Sequence, residues 1–346
     1  MSKLFTSTIY SFGLVLYYLR LDWIVIWLGR NNVKVLLYHD CSDAESAYTA
    51  GLDCTITPAV FAQHLDYVAK HYTVISIDDL ERGGNPLRSV AISFDDGYRS
   101  VYDHAFPALR QRNMCATVYL VTNVVDNIEL VWVNELNYYL RTHSVVARPI
   151  AARYLGVSAE LLPEQLISMM KDSYDRRVIT AVLTEISDAI KIDRRQLSQT
   201  ARLYVDWAQV DEMQRSNITF GNHTMTHPNL AKLTGAEQTA EVAGAQAVLT
   251  SRLGRKMSFA YPFGNHNVET AEIAFGIGVT SLAEVGGSNY PGRGRNIGRV
   301  HVVATTSAGL FAQMEVVEPL KAYLRSLRSL SAGLQAVQTA EAVASH

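Results

Sequence analysis

The chain has 346 residues, room for one large domain or two modest ones, and 48% of them are apolar, enough for a sizeable core. Its formal net charge of −2 lacks the basic excess of a general nucleic-acid binder, so nucleic acid is excluded as a partner. The three cysteines, Cys41, Cys54 and Cys115, are odd in number, match no metal-binding spacing, and read as free thiols in a reducing compartment.

In chain order, Phe5–Leu28 is rich in Leu, Ile, Val, Trp and Tyr and is interrupted by Arg20 and Asp22. Its unbroken part, Phe5–Leu19, falls short of the roughly 20 apolar residues that span a bilayer, and no small-x-small cleavage site follows it. Residues 1–30 are therefore expected to form an apolar helix that packs on the domain or lies in a membrane interface. Val33–His39 is short, continuous and β-branched, the pattern of a buried strand. Thr57-Pro58 is an N-cap followed by proline at the first helical position, and Phe61, Leu65 and Val68 continue at helical spacing. Thr73–Ile77 and Ser89–Phe94 read as strands, Val101–Arg112 as helix, and Thr117–Val121 as strand again. From about Trp132 to Val205 strand signals fade and helical ones dominate, which marks an insertion at about 131–205. Ile218–Gly221 returns to strand, and Thr234 with Glu237 makes a capping box for a helix through about Leu249. Met257–Tyr261, Val279–Val285 and Val300–Val303 are the remaining strand candidates. Residues 311–346 read as a helical tail, loosely held from Gln335 to His346.

Strands alternating with helices imply an α/β fold of parallel strands joined by helical crossovers. About seven strands suit a closed or partly closed barrel, whose chemistry sits where strands end and loops begin. Polar clusters fall at four such ends: His39, Asp95-Asp96, His223 and Pro262-Phe263.

Three segments carry candidate chemistry. In Phe94-Asp95-Asp96-Gly97 two carboxylates leave an apolar strand directly. Alone this reads as readily as a solvated Asp-Gly turn; functionally, one carboxylate would bind a metal while the other stays free as a base. In Gly221-Asn222-His223-Thr224-Met225-Thr226-His227-Pro228 two histidines stand four apart, able to converge on a helix face or in a tight loop. Imidazoles suit Zn²⁺, Co²⁺ or Ni²⁺, and with Asp96 the pair makes a three-ligand set that leaves positions open for water and substrate. Phe259-Ala260-Tyr261-Pro262-Phe263-Gly264 reads either as a strand ending in a Pro-Gly loop or as a site wall, with Tyr261, Pro262 and Phe263 as sugar contacts and a backbone N–H aimed at an oxyanion.

Together these residues resemble the NodB-like polysaccharide deacetylases, carbohydrate esterase family four. The likeness is carried by the strand ending in Phe94-Asp95-Asp96-Gly97, by His223-Thr224-Met225-Thr226-His227, and by the Tyr261-Pro262-Phe263 segment. Tyr38-His39 and Trp207 are softer matches, and the likeness runs from about Val33 to Val303. It implies a distorted (β/α) barrel of about seven parallel strands over residues 31–310, with the helical insertion inside it. It implies hydrolysis of the N-acetyl group of an amino sugar by a metal-bound water, with Asp95 as general base, Asp96, His223 and His227 as metal ligands, and the Phe263 N–H in the oxyanion hole. The cofactor is expected to be Zn²⁺, with Co²⁺ or Ni²⁺ as alternatives.

Two departures stand out. Ala260 occupies the place where the family often has an arginine that orients the base, and Arg299 is the candidate replacement, counted also among the expected substrate contacts. The family's later Leu-x-His motif is not evident; His301 is the nearest candidate for the general acid, and His39 is a second candidate for that role or for substrate contact. The expected partner is an N-acetylated glycan or a lipid-linked sugar, with peripheral membrane contact through the N-terminus and a cytoplasmic, membrane-associated or cell-envelope location. The alternatives are a catalytically weak glycan-binding relative, or a deformylase or deacylase acting on a lipid-linked sugar.

Overall fold

A computed structural model describes residues 3–255, 257–290 and 295–327. The strands run β1 (Lys34–Tyr38), β2 (Ser89–Phe94), β3 (Ala116–Leu120), β4 (Ile218–Asn222), β5 (Phe259–Ala260), β6 (Leu282–Val285) and β7 (Asn296–His301). Each pairs in parallel with the next, from Lys34 beside Val90 on the first pair round to Asn296 beside Leu282 on the last. β7 then returns to β1, with Leu36 beside Val300 and Leu37 beside His301, so the sheet closes into the seven-stranded barrel that the strand–helix alternation predicts. A two-residue strand, Thr73–Val74, adds to the start of β2.

Side chains alternate across the barrel wall. Val35, Ala91, Tyr119, Ala260, Ala283 and Ile297 pack in one cluster. Leu36, Ile92, Phe94 and Val118 pack in another, with Phe61, Leu65 and Val68 of helix Pro58–His71 and with Phe106 and Leu109 of the next crossover. Burying side chains of this size contributes roughly 1.5–3 kcal/mol each, which is what seats the helices on the strands. Gly221 is required where it stands, because a Cβ there would lie 2.4 Å from the Tyr119 ring.

Several element boundaries move from their sequence positions for identifiable reasons. The strand expected over Thr73–Ile77 stops at Val74, because Ser76 and Asp79 form a capping box that starts helix Ile77–Arg82. The strand expected at Val300–Val303 begins instead at Asn296, because backbone pairing with β6 recruits Asn296 and Gly298 whatever their side chains. Between β3 and β4 lie five insertion helices: Trp132–Thr142, Ser144–Leu155, Pro163–Asp172, Arg176–Ile190 and Arg194–Ala201. They are pinned together in part by the buried Glu135, which pairs with Arg194 at 2.5 Å and accepts from the Tyr139 hydroxyl at 2.9 Å.

The apolar N-terminus forms two helices, Lys3–Tyr18 and Asp22–Leu28, bent by 112° at the Arg20 break. Among the described residues no single helix is long and apolar enough to cross a membrane, although this bent pair passes by length and composition. Helix Lys3–Tyr18 lies against the segment Ser307–Val317 and approaches it so closely that a Cβ on Gly13 would sit 2.7 Å from the Ala312 Cβ. Beneath the barrel, Lys34 donates to the Gly29 carbonyl at 3.0 Å and pairs with buried Glu315 at 2.9 Å, joining the second helix to the C-terminal segment. Residues 318–327 are helical. The expected tail beyond them lies outside the described residues.

Candidate active site

The barrel brings the polar strand ends to one rim. β2 stays in the ladder as far as Asp95, whose N–H donates to the Tyr38 carbonyl at 3.0 Å. The chain then turns left-handed at Asp96 (φ 69°) and Gly97 (φ 75°). Gly97 is forced by space as well as by φ, since a Cβ there would lie 2.7 Å from Leu120. β4 delivers His223, whose N–H donates to the Leu120 carbonyl at 3.0 Å. His223 Nδ1 lies 2.8 Å from the Ala260 carbonyl, which can only accept; Nδ1 therefore carries a proton and Nε2 presents its lone pair to the site.

The histidines converge through a loop rather than along a helix face. Thr224 (φ 70°) and His227 (φ 59°) are both left-handed, and the His227 N–H donates to the Thr224 hydroxyl at 3.0 Å. Asp96 Oδ1 then lies 3.4 Å from His223 Nε2 and 3.2 Å from His227 Nε2. Asp96, His223 and His227 are all buried, and their potential ligand atoms lie within 4.8 Å of one another. Asp96 Oδ1 has no hydrogen-bond partner. A buried carboxylate oxygen without a donor, facing two imidazole nitrogens, fits a cation, and one carboxylate with two imidazoles is a donor set suited to zinc and its neighbours.

Asp95 is held separately. Arg299 grips it with two bonds, Nη1 to Oδ1 at 2.6 Å and Nη2 to Oδ2 at 2.8 Å. Arg299 is 0% exposed, and its guanidinium lies over the Tyr119 ring at 5.1 Å. Burial raises the Asp95 carboxyl, but Arg299 and His223 outweigh it and hold the group below its ordinary value. Burial likewise raises Asp96, and His227 and His223 bring it well below its ordinary value. Burial lowers His223, but the two aspartates reverse that and raise it.

His39 and His301 face each other across the closure of the ring, their centroids 5.2 Å apart and edge to face. Both line the same cavity, of about 310 Å³, as Asp95, Asp96, His223, His227, Tyr261 and Phe263. Burial lowers His39 to about 4, with partial opposition from Asp96 and Asp95. Burial also lowers His301, opposed by Asp95 and Asp53. The Phe263 ring packs on His227 at 4.5 Å, and its backbone is left-handed (φ 58°).

Two expected substrate contacts are corrected. Arg299 is wholly buried against Asp95 and does not line the cavity. Pro262 is buried at the start of the turn Pro262–Gly264 and does not line the cavity. Tyr261 does line it, while its ring stacks on His266 at 4.1 Å.

Sequence reasoning missed the insertion's share of the site. Trp132 donates its indole N–H to the His227 carbonyl at 3.1 Å, and Lys171 places its ammonium 5.5 Å from the Phe263 ring centre. Lys171, Val131, Val133, Asn134 and Ile167 line the cavity, as does Cys54. Nothing in spacing or composition marks these residues. Their signal would have been that a long insertion leaves from β3, the strand beside the Asp95-Asp96 turn.

A family model described as polysaccharide deacetylase matches residues 82–282, more than half of the chain. The chain belongs to the polysaccharide deacetylase family. Enzymes called polysaccharide deacetylases are hydrolases acting on carbon–nitrogen bonds. Solved structures with a similar fold include the Streptococcus pyogenes deacetylase PplD in complex with acetate, at 18% identity and a TM-score of 0.55, over 82% of this chain and 98% of that one. IcaB from Ammonifex degensii is similar at 21% identity and a TM-score of 0.55, over 83% and 98% of the two chains. A poly-beta-1,6-N-acetyl-D-glucosamine N-deacetylase from Staphylococcus epidermidis is 45% identical over 47 residues, which span 14% of this deacetylase and 16% of that relative.

Proposed function

We propose that this deacetylase removes the N-acetyl group from an amino sugar of a polysaccharide or glycan precursor, using one divalent ion. The observation that carries the reading is the convergence of His223 and His227 Nε2 on Asp96 Oδ1, beside an Asp95 fixed by Arg299. The name of the Staphylococcus epidermidis relative, a poly-beta-1,6-N-acetyl-D-glucosamine N-deacetylase, favours the same class of substrate.

Asp96, His223 and His227 would hold the ion, most simply Zn²⁺ given its imidazole-rich donors, with Co²⁺ or Ni²⁺ as alternatives. When bound, such an ion polarises an amide carbonyl and lowers the pKa of a neighbouring water. Asp95 is the general base: it is ionised at neutral pH, and Arg299 fixes the direction in which it accepts the proton of the attacking water. The water oxygen bonds to the acetyl carbon, and the Phe263 N–H steadies the charge that builds on the carbonyl oxygen, a contribution commonly of about 3–4 kcal/mol per donor. The proton that Asp95 takes is handed on through His301, which burial leaves without one of its own to spare, to the sugar nitrogen as the carbon–nitrogen bond breaks, leaving acetate and a free amine. His39, which shares the cavity, is the second candidate for that proton.

A second reading, a deformylase or deacylase of a lipid-linked sugar, is favoured by the apolar face of the N-terminal helices. Phe5, Phe12, Val15, Leu19, Trp23 and Trp27 are all exposed, and aromatic residues suit the membrane interface. An acid-release assay over N-acetylated oligosaccharides and N-formylated and N-acetylated lipid-linked sugars, with and without chelator, separates the two. Chelator-sensitive acetate release from oligosaccharides is expected; release of formate alone would replace the first reading with the second.

A further inference from the structure

The loop that carries two of the three proposed ligands has no regular structure of its own. Thr224 and His227 occupy the left-handed region that residues bearing side chains rarely adopt, and such conformations persist only where surrounding structure over-determines them. The Thr122 and Asn123 N–H groups hold the Thr224 and Met225 carbonyls, Asn222 Oδ1 accepts the Thr224 N–H, and one residue outside the loop makes more bonds to it than any other. Glu241, on helix Gly235–Leu253, is 3% exposed. Its Oε2 accepts the N–H groups of Met225 at 3.0 Å and Thr226 at 2.9 Å. Its Oε1 accepts the Thr226 hydroxyl at 2.7 Å and pairs with Arg176 Nη2 at 2.5 Å.

Both partners are informative. A carboxylate that receives consecutive backbone N–H groups fixes peptide planes rather than a side chain, and Met225 and Thr226 lie between the two histidines. Arg176 is the first residue of insertion helix Arg176–Ile190, so the charge that accompanies Glu241 into the interior comes from outside the barrel. A buried carboxylate depends on such a partner, since an uncompensated charge there is strongly destabilising. The same loop meets the insertion twice more, through Trp132 on the His227 carbonyl and through the Asn229 amide on the Lys171 carbonyl at 2.9 Å.

We propose that Glu241, held by Arg176, is the positioning residue of the metal loop: it sets the approach of His223 and His227 to Asp96 and couples the helical insertion to the ion. The inference rests on the metal reading above. The coupling is reciprocal, so occupancy by the ion tightens the docking of helix Arg176–Ile190, and loss of the Arg176 contact weakens the ion.

The test is zinc titration of chelator-stripped protein against a chromophoric competitor, for the wild type, Glu241→Gln, Arg176→Gln and His223→Ala. Circular dichroism and melting temperature are measured on each. Glu241→Gln keeps the side chain's shape but, whichever way its amide turns, sets an NH₂ group against two of the four donors. It is expected to retain the fold and bind zinc 10–100-fold more weakly, the range typical for groups that orient metal ligands. Arg176→Gln, farther from the ion, is expected to lose less. Zinc should also slow amide exchange in residues 176–190 of the wild type and not of Glu241→Gln. Wild-type zinc affinity in a folded Glu241→Gln protein overturns the proposal, even if its melting temperature falls. Should Glu241→Gln fail to fold, Arg176→Gln decides alone: weakened zinc binding supports the coupling, and unchanged affinity overturns it. Equal zinc binding by the wild type and His223→Ala would instead overturn the metal reading, which keeps the two failures apart.

Discussion

Asp95 and Asp96 are neighbours with different surroundings, because the backbone turns left-handed between them. Asp95 keeps its N–H in the ladder and its carboxylate on Arg299; Asp96 turns toward two imidazoles. Substituting Asp95→Asn keeps the shape and removes the base, so turnover is expected to fall by about 10²–10⁴-fold while metal content stays the same, as measured by acetate release and elemental analysis. Wild-type turnover in that variant would remove Asp95 as the base. Arg299 gives a pH test. It is the leading influence holding Asp95 below its ordinary value against burial, so its loss raises the Asp95 pKa. The base works only when ionised, and Arg299→Gln is therefore expected to move the acid limb of the kcat/KM profile to higher pH. An unmoved limb would contradict the pairing's role. Ala260 in place of an arginine was legible in the sequence, and Arg299, expected to replace that arginine, does pair with Asp95. What could not be read was that Arg299 is fully buried, because burial depends on Tyr119 and the ring closure rather than on its neighbours in the chain.

At the scale of elements, the strands with continuous apolar runs were legible: Lys34–Tyr38 and Ser89–Phe94 fall inside their expected bounds. Thr57, Thr234 and Pro58 act as the caps and helix starts that their chemistry implies. Short strands read less well. Phe259–Ala260 is two residues long, and β7 includes Asn296 and Gly298, because ladders are made by backbone whatever the side chains. Glu241 was invisible, since a glutamate at helical spacing reads as solvated surface unless the loop above it is known. The N-terminal run was legible as helix, with a break at Arg20-Leu21-Asp22, but not its two faces. One packs through Gly13 on Ala312; the other exposes Phe12, Trp23 and Trp27. If that face lies on lipid, the protein should co-sediment with anionic vesicles and its tryptophan emission should shift to the blue. Trp23→Ser with Trp27→Ser should weaken binding and leave turnover of a soluble oligosaccharide unchanged. Vesicle binding insensitive to both substitutions would remove this face as the contact.

At the scale of the molecule, the alternation of strand and helix announced parallel strands, and a closed parallel barrel places every strand end on one rim. That is why a carboxylate after β2 and imidazoles after β4, far apart in sequence, meet at 3.2–3.4 Å. The closure of β7 on β1, which sets His301 beside His39, follows from the ring and has no local signal. The insertion then lines the cavity with Val133, Ile167 and Lys171, so the cavity is shaped by residues that no motif marked.

The most direct test of one ion held by Asp96, His223 and His227 is a reconstitution curve. Protein stripped by chelator is titrated with Zn²⁺, and acetate release is followed against the metal-to-protein ratio, in the wild type and His223→Ala. The proposed site predicts a wild-type rise that breaks at one ion per chain, and a flat line for His223→Ala over the same range. Full acetate release from the stripped wild type, or an equal rise in both proteins, would contradict it.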